Sequence, residues 1–176
     1  MRAFGALVAA VALFVAGGVG GWLLRGEDAG STTVTRAVTR EAEGTLPVAV
    51  DRKRRAIAAA ARSRDVDALR KLIPPSGFTF TYGESEGGPI AYWLNLARTS
   101  DEQPFETLAR ILEQPYSLRQ GIYVWPFAYG LPKNEATAYE RRLLGPLFDS
   151  YVGQDYYGWR AGIRPDGTWI FFVRGD

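Results

Sequence analysis

The chain has 176 residues, 47% of them hydrophobic and 13% aromatic, with a formal net charge of +2 and a pI near 9.0. It contains no cysteine and no histidine, which excludes disulfides, thiol catalysis, thiolate or imidazole metal sites and serine–histidine–aspartate triads. The charge is too small for a dedicated nucleic-acid binder, and no nucleic-acid partner is expected.

From Ala3 to Leu24 no residue is charged, with Arg2 before the run and Arg25 after it. A helix over this run is about 33 Å long, enough to cross the hydrocarbon core of a bilayer, and Trp22 sits where an interfacial aromatic belongs. We expect residues 1–25 to form a single-pass anchor, with the C-terminal domain outside the cytoplasm. The cluster Ala16, Gly17, Gly18, Gly20 and Gly21 also fits a cleaved signal peptide, which would leave the domain secreted. Arg25, Arg36 and Arg40 partly oppose the positive-inside rule. Gly17 and Gly21 have the small-xxx-small spacing of a helix–helix contact. Residues 26–46 are polar and lack an apolar period, the composition of a flexible linker.

Residues 47–176 have the length and core-forming residues of one extracytoplasmic α+β domain. Pro47 opens a helix to Ala61, with Val50, Ile57 and Ala61 as a narrow apolar stripe. Asp65 caps a second helix, which Pro74 and Pro75 stop. Phe78 to Tyr82 alternates aromatic with threonine and reads as a strand. Gly87-Gly88-Pro89 opens a third helix, apolar almost all round (Ile90, Tyr92, Trp93, Leu94, Leu96, Ala97) and therefore expected to be mostly buried. Pro104 starts a fourth with Phe105, Leu108, Ala109 and Leu112 on one face, and Pro115 ends it. Gly121 to Phe127 reads as a strand whose end Pro126 places at an edge. Asn134 caps a fifth helix to about Leu144. Tyr156 to Ile163, the turn Pro165-Asp166-Gly167-Thr168 and Trp169 to Val173 make a C-terminal hairpin, its last strand apolar on both faces as a central strand would be. The expected architecture is about five helices on a small, mainly antiparallel sheet ending in that hairpin.

Ile57 to Tyr82 runs helix, short aspartate-started helix and aromatic strand (Ala-Ala-Arg-Ser-Arg-Asp-Val-Asp-Ala-Leu-Arg-Lys-Leu-Ile, then Phe-Thr-Phe-Thr-Tyr). This order resembles the opening of NTF2-like domains. The resemblance implies a concave sheet with a pocket, and no particular activity. The chain also resembles small membrane-anchored or secreted proteins of actinobacterial type.

The aromatic residues are the first candidate site. Aromatic faces stack on the C–H faces of sugars, and an exported domain meets envelope glycans, although such rings also build cores. Tyr123, Trp125, Tyr157 and Trp159 occupy alternate strand positions and are the expected pocket lining. Arg160, beside Trp159, is a candidate anion contact. Glu84, Glu86, Asp149 and Asp155 are candidate paired carboxylates, but their loop and turn settings read better as solvated positions. Arg52, Lys53, Arg54 and Arg55, with Arg62 and Arg64, suit anionic headgroups or the solvated face of a helix. The ending Arg174-Gly175-Asp176 reads as a strand end. No catalytic residue, metal or cofactor is expected. The sequence favours a non-enzymatic, membrane-anchored domain that binds an envelope component, glycan or partner protein. An NTF2-like enzyme using carboxylate or tyrosine acid–base chemistry, and a membrane assembly scaffold, are the alternatives.

Overall fold

The computed structural model describes residues 45–83 and 85–175. The expected anchor, the linker up to residue 44, Glu84 and Asp176 lie outside the described residues. Among the described residues no helix is long and apolar enough to cross a membrane.

Among the described residues, five helices and a four-stranded antiparallel sheet give an α+β fold. Helix α1 spans Val48–Arg62 with Pro47 at its N-cap, so the chain enters helix where proline's fixed φ is already suitable. Val50, Ile57 and Ala61 are fully buried, with Ala58 and Ala60 beside them. The cations of the first turns are compensated locally: Asp51 accepts from Arg54 at 2.8 Å and Arg55 at 2.8 Å. Those two hydrogen bonds, Arg54's first, hold the Asp51 carboxyl below its ordinary range. Helix α2 (Val66–Leu72) starts at Asp65, whose side chain accepts from the Ala68 amide at 2.9 Å.

The segment Phe78 to Tyr82 is not a strand. It forms one parallel bridge, Thr79 to Phe171, through Thr79 N to the Ile170 carbonyl and Phe172 N to the Thr79 carbonyl, each 3.0 Å. The alternation is real, but only one residue finds a ladder partner, and the rings of Phe78 and Phe80 serve as packing groups. Helix α3 (Gly88–Thr99) is less buried than its composition suggests. Ile90 and Trp93 are inside, whereas Leu94 is 47% exposed, because α3 lies against the domain along one side only. Helix α4 (Pro104–Glu113) buries all four expected residues, Phe105, Leu108, Ala109 and Leu112, and packs on α1 and on the sheet.

A strand that the sequence reading missed follows. β1 (Ser117–Arg119) pairs with β2 (Ile122–Trp125) through a two-residue turn, Gln120-Gly121. Both turn residues have positive φ, 50° and 77°, as a type I′ hairpin requires, and glycine at the second position makes the turn accessible. β2 pairs with β1 on one side and with β5 (Trp159–Ile163) on the other. It is therefore an interior strand, and Pro126 lies just past its end, where no ladder donor is needed. A 3-10 turn at Lys133–Glu135 precedes α5 (Ala138–Leu144). The cap of α5 is Thr137, not Asn134: the Thr137 hydroxyl accepts from the Glu140 amide at 3.2 Å, and Glu140 Oε2 accepts from the Thr137 amide at 2.8 Å. Threonine followed three residues later by glutamate is the sequence signature of this reciprocal cap. A second 3-10 turn (Gly145–Ser150) leads into a short hairpin of β3 (Tyr151–Val152) and β4 (Asp155–Tyr156).

The C-terminal hairpin, β5 (Trp159–Ile163) and β6 (Trp169–Arg174), lies where the sequence places it. The sheet order is β1-β2-β5-β6, so β6 ends the sheet and is not central. Its two-faced apolar character has another cause. Phe172 and Val173, on opposite faces, are both buried, and the Thr79 segment occupies its outer edge.

Directly paired residues in an antiparallel ladder project to the same face. The register thus puts Tyr123, Trp125, Trp159, Ala161, Ile163 and Phe172 on the inner face, against the helices. Val124, Arg160, Gly162, Phe171 and Val173 lie on the outer face. Gly162 is the tight point there, since a Cβ at that position would stand 2.2 Å from the Phe171 ring. Gly162→Ala is expected to cost about 1–3 kcal/mol through overpacking, read as a lower urea midpoint with an unchanged m-value.

Candidate functional site

The two sheet faces separate the residues that the sequence groups together. Trp125 and Trp159 are 1% and 5% exposed, inside the main core. Trp159 stacks on Phe172 with ring centroids 4.5 Å apart, and its indole N–H donates to Glu102 Oε2 at 2.8 Å. Glu102 also holds Arg174 in an ion pair, so one carboxylate ties the α3–α4 connection to both strands of the hairpin. Tyr123 is half-buried on the same face, against Tyr116 at 5.3 Å. Tyr157 lies just before β5 and is 37% exposed. Trp125 and Trp159 are thus packing groups of the core. Core demand explains it: the inner face of a small sheet is where a domain of this size places its largest rings.

Arg160 is on the opposite, outer face. Its guanidinium lies over Tyr129 at 5.2 Å and over Tyr82 at 5.9 Å from the ring centroids, and Nη2 donates to the Tyr82 hydroxyl at 3.0 Å. The Tyr82 ring is 57% exposed. The loop after β2 comes back over this face, where Ser117 Oγ donates to the Tyr129 carbonyl at 3.1 Å and Arg119 to the Gly130 carbonyl at 2.9 Å. Two tyrosines and an arginine, from three separate stretches of chain, thus form one surface cluster. Sequence reasoning found Arg160 and counted Tyr129 among the candidate aromatics, but did not include Tyr82. The only available signal was an aromatic at the end of a failed strand and another in a proline- and glycine-flanked loop.

The carboxylate candidates do not assemble. Glu86, Asp149 and Asp155 are all exposed. Glu140, the buried carboxylate among the described residues, is occupied by the α5 capping box. No cluster of three or more acidic side chains that could hold a metal ion occurs among the described residues. A groove of 420 Å³ runs between the C-terminal end of α2 and the first turns of α3, lined by Ile73, Pro74, Pro89, Ile90 and Leu94, with Arg70 at its rim. It contains none of the expected site residues.

Comparison with known proteins gives no match: no family model, no curated protein and no solved structure is similar to this chain.

The strongly shifted groups are buried phenols. Burial, with the charge of Glu140 adding to it, pushes the Tyr151 hydroxyl up to about 12. Burial likewise raises Tyr156, with Tyr151 as the second cause. The folded state therefore keeps these phenols protonated, whereas an unfolded tyrosine ionises near pH 10. Stability from this source is complete below about pH 10 and falls as pH rises toward 12, because the unfolded state then releases the proton first. Urea unfolding across that window is expected to show a shallower loss in Tyr151→Phe than in the parent. Near neutrality the variant changes little, since the hydroxyl makes only a 3.5 Å contact to the Ala128 carbonyl.

Proposed function

We propose that residues 47–176 form an extracytoplasmic binding domain, tethered to the membrane through residues 3–24. Its ligand is a component of the cell envelope bearing a sugar ring, and its ligand face is the outer side of the sheet around Tyr82, Arg160 and Tyr129. One observation carries this reading. The Tyr82 ring stands 57% exposed while the Arg160 hydrogen bond and the guanidinium-over-ring contact hold it. An aromatic ring in water is normally mobile or buried. A ring restrained at the surface offers its face to C–H groups of a saccharide at little further cost in side-chain entropy.

Binding without turnover is favoured by how the polar groups are used. Asp51, Asp67, Glu106 and Glu113 are in ion pairs. Glu102 holds the hairpin and Glu140 the cap. These six carboxylates thus serve structure. Sugar stacking on Tyr82 requires no movement of any of them.

Titration calorimetry of the protein with soluble fragments of envelope glycan tests the reading. Tyr82→Ala is expected to weaken binding about tenfold, or about 1.4 kcal/mol, with the fold intact by circular dichroism. Undiminished binding by a folded Tyr82→Ala variant would reject this face as the site.

A further inference from the structure

The exposed face of α1 is a single stripe. Val48, Arg52, Arg55, Ala59 and Arg62, spaced by four and three residues, are all exposed, while the opposite side carries the buried Val50, Ile57 and Ala61. Five cations and one acid give α1 a net +4. The whole chain sums to +2, so the remainder sums to −2 and the positive charge is concentrated here. Arg52 has no hydrogen-bond or ion-pair partner among the described residues. Lys53 reaches the Leu72 carbonyl at 3.4 Å, which brings the C-terminal end of α2, with exposed Lys71, alongside. Val48 is 73% exposed in the first turn.

The stripe also lies where the tether arrives. The chain passes from Leu24 to Pro47 and directly into α1. Even fully extended, that stretch keeps the start of α1 within about 80 Å of the apolar run's end, so α1 is where the tether joins the domain. Cations near an anionic bilayer are attracted within about a Debye length, and an apolar side chain among them can enter the interface.

We propose that the α1 stripe docks on anionic lipid headgroups, with Arg52, Arg55 and Val48 as the contact residues, so that the domain lies on the bilayer by one defined side. This rests on the reading of residues 3–24 as a membrane anchor. Each cation at the surface raises the docked population about fivefold. The sheet and its Tyr82 cluster are left to face the envelope.

The full chain is reconstituted into phosphatidylcholine vesicles, with or without a third of phosphatidylglycerol. The absence of native cysteine allows one fluorophore at Ala59→Cys on the stripe, or at Val152→Cys on the β3–β4 hairpin as reference. Quenching by headgroup-labelled lipid is then read. The expected result is strong quenching at position 59 in anionic vesicles, at least fivefold weaker in neutral vesicles, in high salt or in Arg52→Gln/Arg55→Gln, and weak at position 152 throughout. Equal quenching at both positions, or at position 59 in neutral and anionic vesicles alike, overturns the docking. So does an absence of quenching in vesicles that carry the protein through flotation, and in that case the anchor reading stands. Protein that fails to float with the vesicles overturns both.

Discussion

The fold depends on the packing of aromatic rings around Trp93. With no cysteine in the chain, no covalent link constrains the unfolded state, and burial must supply the stabilisation. Trp93 is fully buried and meets Phe172 at 5.2 Å, Trp169 at 6.0 Å, Phe78 at 6.1 Å and Phe105 at 6.4 Å. Those partners come from β6, the failed strand and α4, so one side chain joins the helical layer to the sheet. A buried indole contributes about 5 kcal/mol by area. That outweighs the roughly 1–3 kcal/mol cost of leaving the Trp93 N–H without a partner.

This core claims the inner face of the sheet and so decides what remains for function. Trp125 and Trp159 are consumed by it, and Glu102 satisfies the one polar atom that Trp159 brings inside. Arg160 is left on the outer face, where its guanidinium lies over both Tyr82 and Tyr129. The same division runs through α1, whose alanine-rich side packs on α4 while Arg52, Arg55 and Arg62 face solvent. Asp51 neutralises enough charge near the positive helix end to make that start tolerable.

The two proposed surfaces, the α1 stripe and the restrained Tyr82 ring, lie on different parts of the domain. Neither surface needs a moving part. Each is produced by a fixed element: α1 in one case, and the antiparallel ladder with the loop folded over it in the other.

Helices were legible in the sequence because their signals are local. Asp65 caps α2 through its own side chain, and the apolar spacing of Phe105, Leu108, Ala109 and Leu112 requires one buried face whatever the partner. The terminal hairpin was legible for the same reason, its turn being closed by Asp166 and Gly167 within a few residues. What depended on distant partners was not. Phe78 to Tyr82 has strand alternation, yet a ladder needs a free edge of matching length, and only Thr79 finds one. β6 carries the composition of a central strand and sits at the end of the sheet, because a strand's position depends on which others pair with it. The candidate site divided likewise: alternation showed that Trp159 and Arg160 face opposite ways, but only the tertiary structure decided which way was inward. That choice went to the face that could bury the larger apolar area against α3 and α4, which sent the tryptophans inside and left Arg160 to meet Tyr82 across 78 residues of chain.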